Sequence, residues 1–413
     1  MTVLPEREPA EDEADPHEPE PEPELAPAPD LGRERRPALT ELRLSAFRAH
    51  RGLALPLAPV TLLQGPSGSG KSSALEAYEA LARLGRGRSV YEAFPDAAAC
   101  VPERARPDRQ RRRGFRIGCT TDGPAGPVRL DLAVQAEPDL RVVGERLTAP
   151  WGVLFETALR DPSTHVVQAA WHTAGNSAVI RAPLPDDRLG TALVPLRVAG
   201  STAAQRRVLE AAEQVVVALR SVFPCDPLPE RMRAAAPVGD GVLRSGCDNL
   251  AEVLRRTRAE CGARHAALVA AVGPGCAGPV ADVVLEVLGD GTVRGVLDRG
   301  PGRPATPLAR LGDGELRFLG LALVLVAGRG VLAPAPPGEP HPEAPLTVLA
   351  DGFARALDPA QSRRLTELAA RAGGVRAGVR GDGRADVRLL GAVSDASWAC
   401  GVDGVEVVDL RRD

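Results

Sequence analysis

One glycine-rich run in this sequence combines a flexible backbone with a single cation and several hydroxyl groups. Its residues are Gly65, Pro66, Ser67, Gly68, Ser69, Gly70, Lys71, Ser72 and Ser73. Gly65 and the triplet Gly70-Lys71-Ser72 have the spacing of a P-loop (Walker A) motif. In that motif backbone N–H groups surround nucleotide phosphates, the lysine reaches the terminal phosphates, and the serine hydroxyl ligates Mg²⁺. The run therefore predicts a binding site for ATP and Mg²⁺.

Lys71 is the only lysine among the 51 Lys and Arg residues of the chain. A compact ammonium on a flexible stem suits a phosphate pocket, whereas a planar guanidinium does not replace it there. An apolar segment at 60–64 precedes the run, and a helix-forming segment at 74–81 follows it. The N-terminus of that helix would add its positive end to the anion site. This context favours a P-loop over a chance glycine-rich loop.

The first 38 residues form a separate compositional region. Proline and glutamate alternate from Glu18 to Glu24, and almost nothing in the region is apolar, so a disordered acidic arm is predicted. It carries 12 acidic and 4 basic residues, so the chain's net charge of −3 leaves about +5 for residues 39–413. A solubilising extension is favoured over an autoinhibitory or partner-binding tail.

Hydropathy and the N-terminal composition give no indication of a membrane protein. No apolar run approaches the roughly 20 residues that cross a bilayer. The N-terminus lacks the charged start and apolar core of a signal peptide. We therefore expect a cytoplasmic protein.

The stretch from Arg104 to Arg113 contains six arginines. A basic loop of this kind could contact a phosphodiester backbone, although a solvated charge run is the commoner case. Aromatic residues make up 3% of the chain, and none lies among these arginines. A base-stacking platform for single strands is therefore disfavoured. Nucleic acid remains the less favoured partner of this loop.

Periodicity divides the folded part, residues 39–413, into three ranges. The first, 39–149, contains the P-loop and an antiparallel β-subdomain, with period-two strands near 115–119, 128–134 and 141–147. The second, 150–275, is predicted to be a helical insertion because 203–223 and 249–272 have helical periodicity. The third, 276–413, holds the remaining motifs. There is no long heptad series, so a coiled-coil arm is not expected.

The segment 41–81, ELRLSAFRAHRGLALPLAPVTLLQGPSGSGKSSALEAYEAL, resembles the opening of the RecF/SMC/OLD-type proteins. These form the non-transporter branch of the ABC-type ATPases, which are AAA family P-loop ATPases. The resemblance implies an α/β fold of the P-loop NTPase, ABC-ATPase type, with an antiparallel β-subdomain and a helical insertion. It also implies a glutamine that contacts Mg²⁺ after the P-loop helix, for which Gln110 and Gln135 are both candidates.

A second run, around residues 308–322, resembles the ABC signature motif at the start of a helix. Its central residues are Leu311, Gly312, Asp313, Gly314 and Glu315. Such a helix start offers N–H donors to the terminal phosphate of a nucleotide held by a second protomer. The resemblance therefore implies a homodimer that encloses ATP between its two copies. Gly312 stands where the family usually has serine.

An apolar segment at 346–350 ends in Asp351 and resembles a Walker B strand. This resemblance makes Asp351, together with Ser72, the expected Mg²⁺ site. The family usually has a water-polarising glutamate at the position of Gly352 and a histidine at that of Ser394. Asp358 resembles the D-loop aspartate that crosses a dimer interface. The catalytic residue is therefore unknown, with Asp395 and Glu315 as weak candidates.

Two functions follow from these motifs. In the first, Mg·ATP joins two protomers and hydrolysis is slow or absent, because Gly352 and Ser394 replace the usual catalytic groups. In the second, the protein is an active ATPase of DNA maintenance or defence. The first function is favoured. Because hydrolysis in it is slow or absent, these motifs do not decide whether the chain is an enzyme. A P-loop kinase acting on a small molecule is disfavoured, since the signature-like and D-loop-like runs would then have no purpose.

Overall fold

The structure is a computed structural model that describes residues 36–171, 180–239, 241–332, 344–374 and 387–411. The predicted acidic arm lies outside these ranges except for its last three residues. Ala38, the last residue of the predicted arm, already begins the first strand. Among the described helices, none has the length and apolar character needed to span a membrane.

The strands within the described ranges are β1 (Ala38–Phe47), β2 (His50–Pro56), β3 (Val60–Gln64), β4 (Arg113–Asp122), β5 (Val128–Glu137), β6 (Arg141–Ala149), β7 (Gly152–Ala158), β8 (Val166–Trp171), β9 (Ile180–Pro185), β10 (Val222–Pro224), β11 (Asp282–Val287), β12 (Val293–Asp298), β13 (Thr306–Pro307), β14 (Leu346–Ala350), β15 (Val387–Val393) and β16 (Val405–Asp409). The α-helices are α1 (Lys71–Gly85), α2 (Val90–Ala93), α3 (Ala97–Cys100), α4 (Ala203–Arg220), α5 (Pro229–Met232), α6 (Leu250–Glu260), α7 (Gly262–Val272), α8 (Asp313–Ala327) and α9 (Pro359–Ala372).

A five-stranded parallel sheet carries the predicted motifs. Its order is β10-β14-β15-β3-β16. All five residues of β14 are buried, as are the first four of β3, which is typical of parallel strands covered on both faces. Because β3, β14 and β15 run parallel, their carboxyl ends lie at the same edge of the sheet, where α/β proteins bind ligands.

The second large sheet is antiparallel and has eight strands in the order β2-β1-β4-β5-β6-β7-β8-β9. The strands predicted near 115–119, 128–134 and 141–147 are confirmed as β4, β5 and β6, which pair in that order. β1 pairs with β2 at one end of this sheet. Buried and exposed residues alternate along these strands, so one face of the sheet joins the core. A small third sheet contains β11, β12 and β13.

The predicted helical insertion over 150–275 is wrong in its first part. Residues 152–185 form β7, β8 and β9, which continue the antiparallel sheet beyond β6. Without further strands, the backbone N–H and C=O groups along the outer edge of β6 would lack partners. Pairing with β7, β8 and β9 in turn supplies those partners and leaves the outer edge of β9 as the edge on that side of the sheet. Helices occupy only the later part of the range, where α4, α6 and α7 match the helical periodicity.

Helix α1 joins the two large sheets. Nine of its fifteen residues are buried, and it contacts both β1 and β15. Tyr78 is 1% exposed, and its hydroxyl donates a hydrogen bond of 3.4 Å to Thr347 Oγ1 on β14. Burial raises the pKa of Tyr78 to about 12, so this hydroxyl stays protonated. The helix behind the P-loop is therefore fixed from both sides.

Glu145 on β6 is a buried carboxylate that predicts a pH dependence of stability. It accepts hydrogen bonds of 2.7 Å from Gly190 N and from Thr191 N, and a further one from the Thr191 hydroxyl. Burial outweighs these bonds and raises the pKa of Glu145 from 4.5 to about 7. The folded state then binds the proton more tightly than the unfolded chain does. This contribution to stability is present below about pH 4.5 and is lost as the pH rises to about 7.

We therefore expect the free energy of unfolding of the wild type to fall by about 3 kcal/mol more than that of Glu145→Gln between pH 4.5 and pH 7.5. Glutamine keeps the shape of the side chain and cannot titrate. Urea unfolding at a series of pH values measures the difference. Parallel pH profiles of the two proteins would contradict the expectation.

Candidate functional site

The predicted P-loop connects β3 to α1 at the carboxyl edge of the parallel sheet. Gly68 and Gly70 have φ angles of 78° and 92°, in the left-handed region that favours glycine. His50 on β2 donates from Nε2 to the Gly70 carbonyl oxygen over 2.9 Å. A Cβ atom on Gly70 would lie 2.2 Å from that nitrogen, so His50 occupies the space of a side chain there. The β1–β2 hairpin thereby supports the loop.

The ammonium group of Lys71 lies on the loop itself. Its Nζ donates to the carbonyl oxygens of Gly65 and Pro66 over 2.7 and 2.8 Å, and to Ser69 Oγ over 3.4 Å. Lys71 is the first residue of α1, where the backbone N–H groups of the first turn lack intrahelical partners. The only lysine of the chain and these N–H groups therefore make one locally positive site.

Two open cavities meet at Lys71. One has a volume of about 390 Å³ and is lined by the loop residues Ser67, Gly68, Gly70, Ser72 and Ser73. The other has a volume of about 420 Å³ and is lined by residues that follow β14 and β15. Because Lys71 lines both cavities, its ammonium is within reach of a ligand in either one.

The second cavity brings together the residues expected at the ends of β14 and β15. Asp351, Gly352, Ser394 and Asp395 all line it with Lys71. This follows from the strand order, since β15 lies between β14 and β3 and all three run parallel. Asp395 is exposed, and its Oδ2 accepts a hydrogen bond of 2.5 Å from Ser397 Oγ.

Gly352, at the position where the resemblance led us to expect glutamate, is covered by Arg355. Gly352 has a φ angle of 66°. A Cβ atom on it would lie 2.8 Å from Arg355 Nη2 and 2.9 Å from Nε. The Arg355 side chain also lines the second cavity. A guanidinium therefore lies where the side chain of residue 352 would begin, and a glutamate at that position would have to adopt a strained backbone conformation.

The signature-like run begins α8, as predicted. Gly312 is the N-cap residue, and because it has no side chain, no hydroxyl caps the helix. Arg233 donates to the Leu311 carbonyl oxygen over 3.0 Å and pairs with Asp313 over 2.6 Å. Among the described residues, 311–315 line neither of the cavities that contain Lys71. This run does not meet the P-loop within one chain.

Gly314 is needed for close packing within the chain. A Cβ atom on it would lie 2.4 Å from the carbonyl oxygen of Ala356, in the turn that follows β14. Since that neighbour is backbone, it cannot rotate away. The missing side chain at Gly314 therefore lets the start of α8 approach the turn that carries Asp351 and the cavity residues.

Two of the predicted acidic site residues cap helices. Glu315 accepts from Gly312 N over 3.0 Å through one oxygen and from Ala277 N over 2.8 Å through the other. Asp358 is the N-cap of α9 and accepts from Gln361 N over 2.8 Å. Both carboxylates therefore hold helix N-termini. Glu315 lies outside the two cavities and has both oxygens engaged, which weighs against it as a catalytic base.

Neither candidate glutamine lines the cavities at Lys71. Gln110 lies in an exposed turn, where its N–H donates to Asp108 Oδ1 over 2.9 Å. Gln135 is 7% exposed on β5, and its Nε2 donates to the Asp139 carbonyl oxygen over 3.0 Å. Ala99, Val101 and Glu103 of this region do line the first cavity, and Glu103 is the polar one among them. No motif in the sequence singles it out.

Arg48 is a second residue of the site without a predicted role. It lines the first cavity, and its φ angle is 52°. Its N–H donates to the Cys100 carbonyl oxygen over 2.9 Å, and its guanidinium pairs with Glu76 on α1 over 2.5 Å. The one available signal was its place in the segment 41–81, which carries the family resemblance.

The arginine-rich loop contains two residues that are paired locally. Arg112 pairs with Asp108 over 2.8 Å, and Arg113 donates twice to Glu137 over 2.6 and 2.5 Å. The side chains of Arg104, Arg106, Arg109 and Arg111 are exposed. None of these arginines lines the cavities at Lys71. The loop remains a surface feature apart from the candidate site.

The two residues expected to bind Mg²⁺ line separate cavities that share Lys71. Ser72 supplies a hydroxyl oxygen in the first cavity and Asp351 a carboxylate oxygen in the second. Oxygen ligands of this kind, with one or two carboxylates completed by water and nucleotide phosphates, are those that Mg²⁺ takes. Within the described part of the chain there is no cluster of three His, Cys, Asp or Glu side chains suited to another metal.

No protein-family model matches the sequence, and no curated protein matches it. Among solved structures, the chain is similar to an SMC head domain from Thermotoga maritima at 12% identity and a TM-score of 0.41. That match covers 90% of this chain and 94% of the other. A second is an Smc head domain from Pyrococcus furiosus, with an extended coiled coil and bound to the C-terminal domain of ScpA. There the identity is 11% and the TM-score 0.38, with 91% and 94% covered. The likeness is distant, and the fold assignment rests on the strand order and the P-loop.

Proposed function

We propose that this chain is an ATP-binding protein of the RecF/SMC/OLD-like, ABC type. Mg·ATP joins two copies, and hydrolysis is slow or absent. The observation that carries the proposal is the cavity at the ends of β14 and β15. It has the lysine and the aspartate that a bound nucleotide needs, whereas the position after the aspartate is a glycine covered by Arg355.

In this proposal each part of the candidate site has its own role in binding Mg·ATP. The backbone N–H groups at the start of α1 receive phosphate oxygens, and the Lys71 ammonium exchanges the Gly65 and Pro66 carbonyl oxygens for the terminal phosphates. Ser72 and Asp351 would hold Mg²⁺, which supplies positive charge against the phosphates. No carboxylate at residue 352 polarises an attacking water, so the bound nucleotide persists.

The start of α8 supports the dimer in this proposal. Its first N–H groups have no side-chain acceptor from the N-cap residue Gly312, and they lie outside the cavities at Lys71. Facing copies would let each α8 donate to the terminal phosphate held by the other copy. The nucleotide then adds contacts to the interface that ADP cannot make.

The test combines light scattering with phosphate release. With Mg·ATP the wild type is expected to double in mass and to release phosphate about 100-fold more slowly than an ordinary ATPase with a turnover of about 1 s⁻¹. With ADP it remains a monomer. If the mass did not change on addition of Mg·ATP, the proposed ATP-dependent dimer would be wrong.

The exposed carboxylate of Asp395 in the same cavity favours a second candidate, an active ATPase of DNA maintenance or defence. In that case the wild type turns over at an ordinary rate, and Asp395→Asn lowers the rate at least about 100-fold. Under the switch proposal Asp395→Asn leaves both the low rate and the ATP-dependent mass unchanged. The matched control is Asp403→Asn, an exposed aspartate in a turn that does not line the cavity.

A further inference from the structure

Arg355 is a cation in the candidate site that none of the predicted motifs contains. It follows β14 by five residues, and its N–H donates to the Gly352 carbonyl oxygen over 2.8 Å, which closes a tight turn. Its side chain is 58% exposed and lines the cavity with Lys71, Asp351 and Asp395. The turn therefore presents a guanidinium to the same space as the Lys71 ammonium.

Glycine at position 352 makes this placement possible. A Cβ atom there would lie within 3.1 Å of Nη2, Nε and Cζ of Arg355. The guanidinium therefore rests directly over the Gly352 backbone, at the end of the strand that delivers Asp351. The glycine and the arginine act as a pair, since the first leaves the space that the second fills.

Most N–H donors of the Arg355 guanidinium are available to a ligand. Its one described ion pair is with Asp226, whose Oδ2 lies 3.7 Å from Nη1, beyond hydrogen-bond distance. An exposed pair at this separation contributes little. Five N–H donors in a planar fork are well matched to phosphate oxygens.

Asp226 is itself fixed from the core. Arg317 on α8 is 2% exposed, and its Nη2 donates to Asp226 Oδ1 over 2.9 Å and to the Gly352 carbonyl oxygen over 3.0 Å. The carboxylate beside Arg355 and the backbone beneath it are therefore held by the same buried guanidinium. The surface under Arg355 is therefore fixed, while the Arg355 side chain itself is free to turn toward a ligand in the cavity.

We propose that Arg355 binds the terminal phosphate of the nucleotide held by its own chain and so distinguishes a triphosphate from a diphosphate. This inference rests on the proposed function and deepens it. Arg355 supplies a cation where an active ATPase would supply a base, so it strengthens binding of the triphosphate without activating water. Lys71 and the loop contact both nucleotides, whereas Arg355 contacts only the longer one.

Calorimetric titration with Mg·AMP-PNP and with Mg·ADP tests the proposal, because AMP-PNP is not hydrolysed. Arg355→Ala is expected to weaken AMP-PNP binding about 10- to 100-fold and to leave ADP binding within about twofold. Arg355→Lys should recover part of the loss, since it restores the charge without the fork. The control is Arg364→Ala, an exposed arginine on α9 that does not line the cavity.

The outcomes separate the two proposals. Equal loss of AMP-PNP and ADP affinity in Arg355→Ala, or no loss of either, would overturn the role of Arg355 while ATP binding by the wild type stands. If the wild type binds neither nucleotide, or Lys71→Ala binds both as well as the wild type does, both proposals fall. Arg355 is largely exposed, and an unchanged urea midpoint would show that the variant is folded.

Discussion

Lys71→Ala is expected to weaken binding of Mg·ATP by about 100-fold or more, because a charge-assisted contact to the phosphates is lost. Lys71 is the only lysine of the chain and lines both cavities of the candidate site, so no neighbouring ammonium can take its place. The substitution also removes the two hydrogen bonds from Nζ to the loop carbonyl oxygens. Calorimetric titration of the purified variant against the wild type measures the loss.

Lys71→Arg, measured beside Lys71→Ala, tests whether charge alone is enough for ATP binding. It keeps the charge, but a planar guanidinium fits poorly over the Gly65 and Pro66 carbonyl oxygens, where one compact ammonium reaches both. We expect it to bind ATP nearly as weakly as Lys71→Ala. An affinity within about threefold of the wild type in either variant would contradict the assignment of this loop as the phosphate site.

Arg317→Met is expected to lower the free energy of unfolding by about 2 kcal/mol, since the buried Arg317 side chain donates to two backbone carbonyl oxygens and to the partly exposed Asp226 carboxylate. Methionine retains much of the apolar stem and none of the donors. Asp226 loses its closest cation, and the carbonyl oxygens of Pro227 and Gly352 lose theirs. Urea unfolding followed by circular dichroism gives the difference in free energy.

The matched control is Arg207→Met, at an exposed position on α4. It should change the free energy of unfolding by no more than about 0.5 kcal/mol. If Arg317→Met had an effect equally small, the Arg317 contacts would not hold the turn together.

Local patterns predicted the parts of the site that depend on chain-adjacent residues. The P-loop needs only Gly65, Gly70, Lys71 and Ser72 in one turn, and Asp351 needs only the apolar strand before it. The strand order then brings these two motifs together. Spacing along the chain was enough because each motif ends a parallel strand of the same sheet.

The missed residues depend on tertiary contacts instead. Arg355 acquires its place from the φ angle of Gly352 and from Asp226, more than 120 residues earlier in the sequence. Glu103 reaches the first cavity through a loop that has no periodicity. Glu315 was predicted from its motif, but its second hydrogen bond, from Ala277 N, could not be inferred from spacing.

The strands at 152–185 were missed for a different reason. The prediction for 150–275 rests on its two clearest periodic segments, 203–223 and 249–272, which are both helical. The shorter runs of alternating polarity before them were therefore assigned to the same helical insertion. Ala169 and Trp171, at two-residue spacing, are buried on β8. Pairing with a neighbouring strand decides the structure of such short runs, because their intrinsic preference is weak.

The burial of α1 between the two sheets has a consequence for any ligand bound at its first turn. Its inner residues are buried against β1, β15 and α4, so we expect exchange of its inner amides with solvent to require separation of these elements. Under the proposed function, a nucleotide bound at the first turn of this helix would add its binding free energy to the stability of the folded state. Occupancy of a surface loop would then be read out as slower exchange of amides in the packed core.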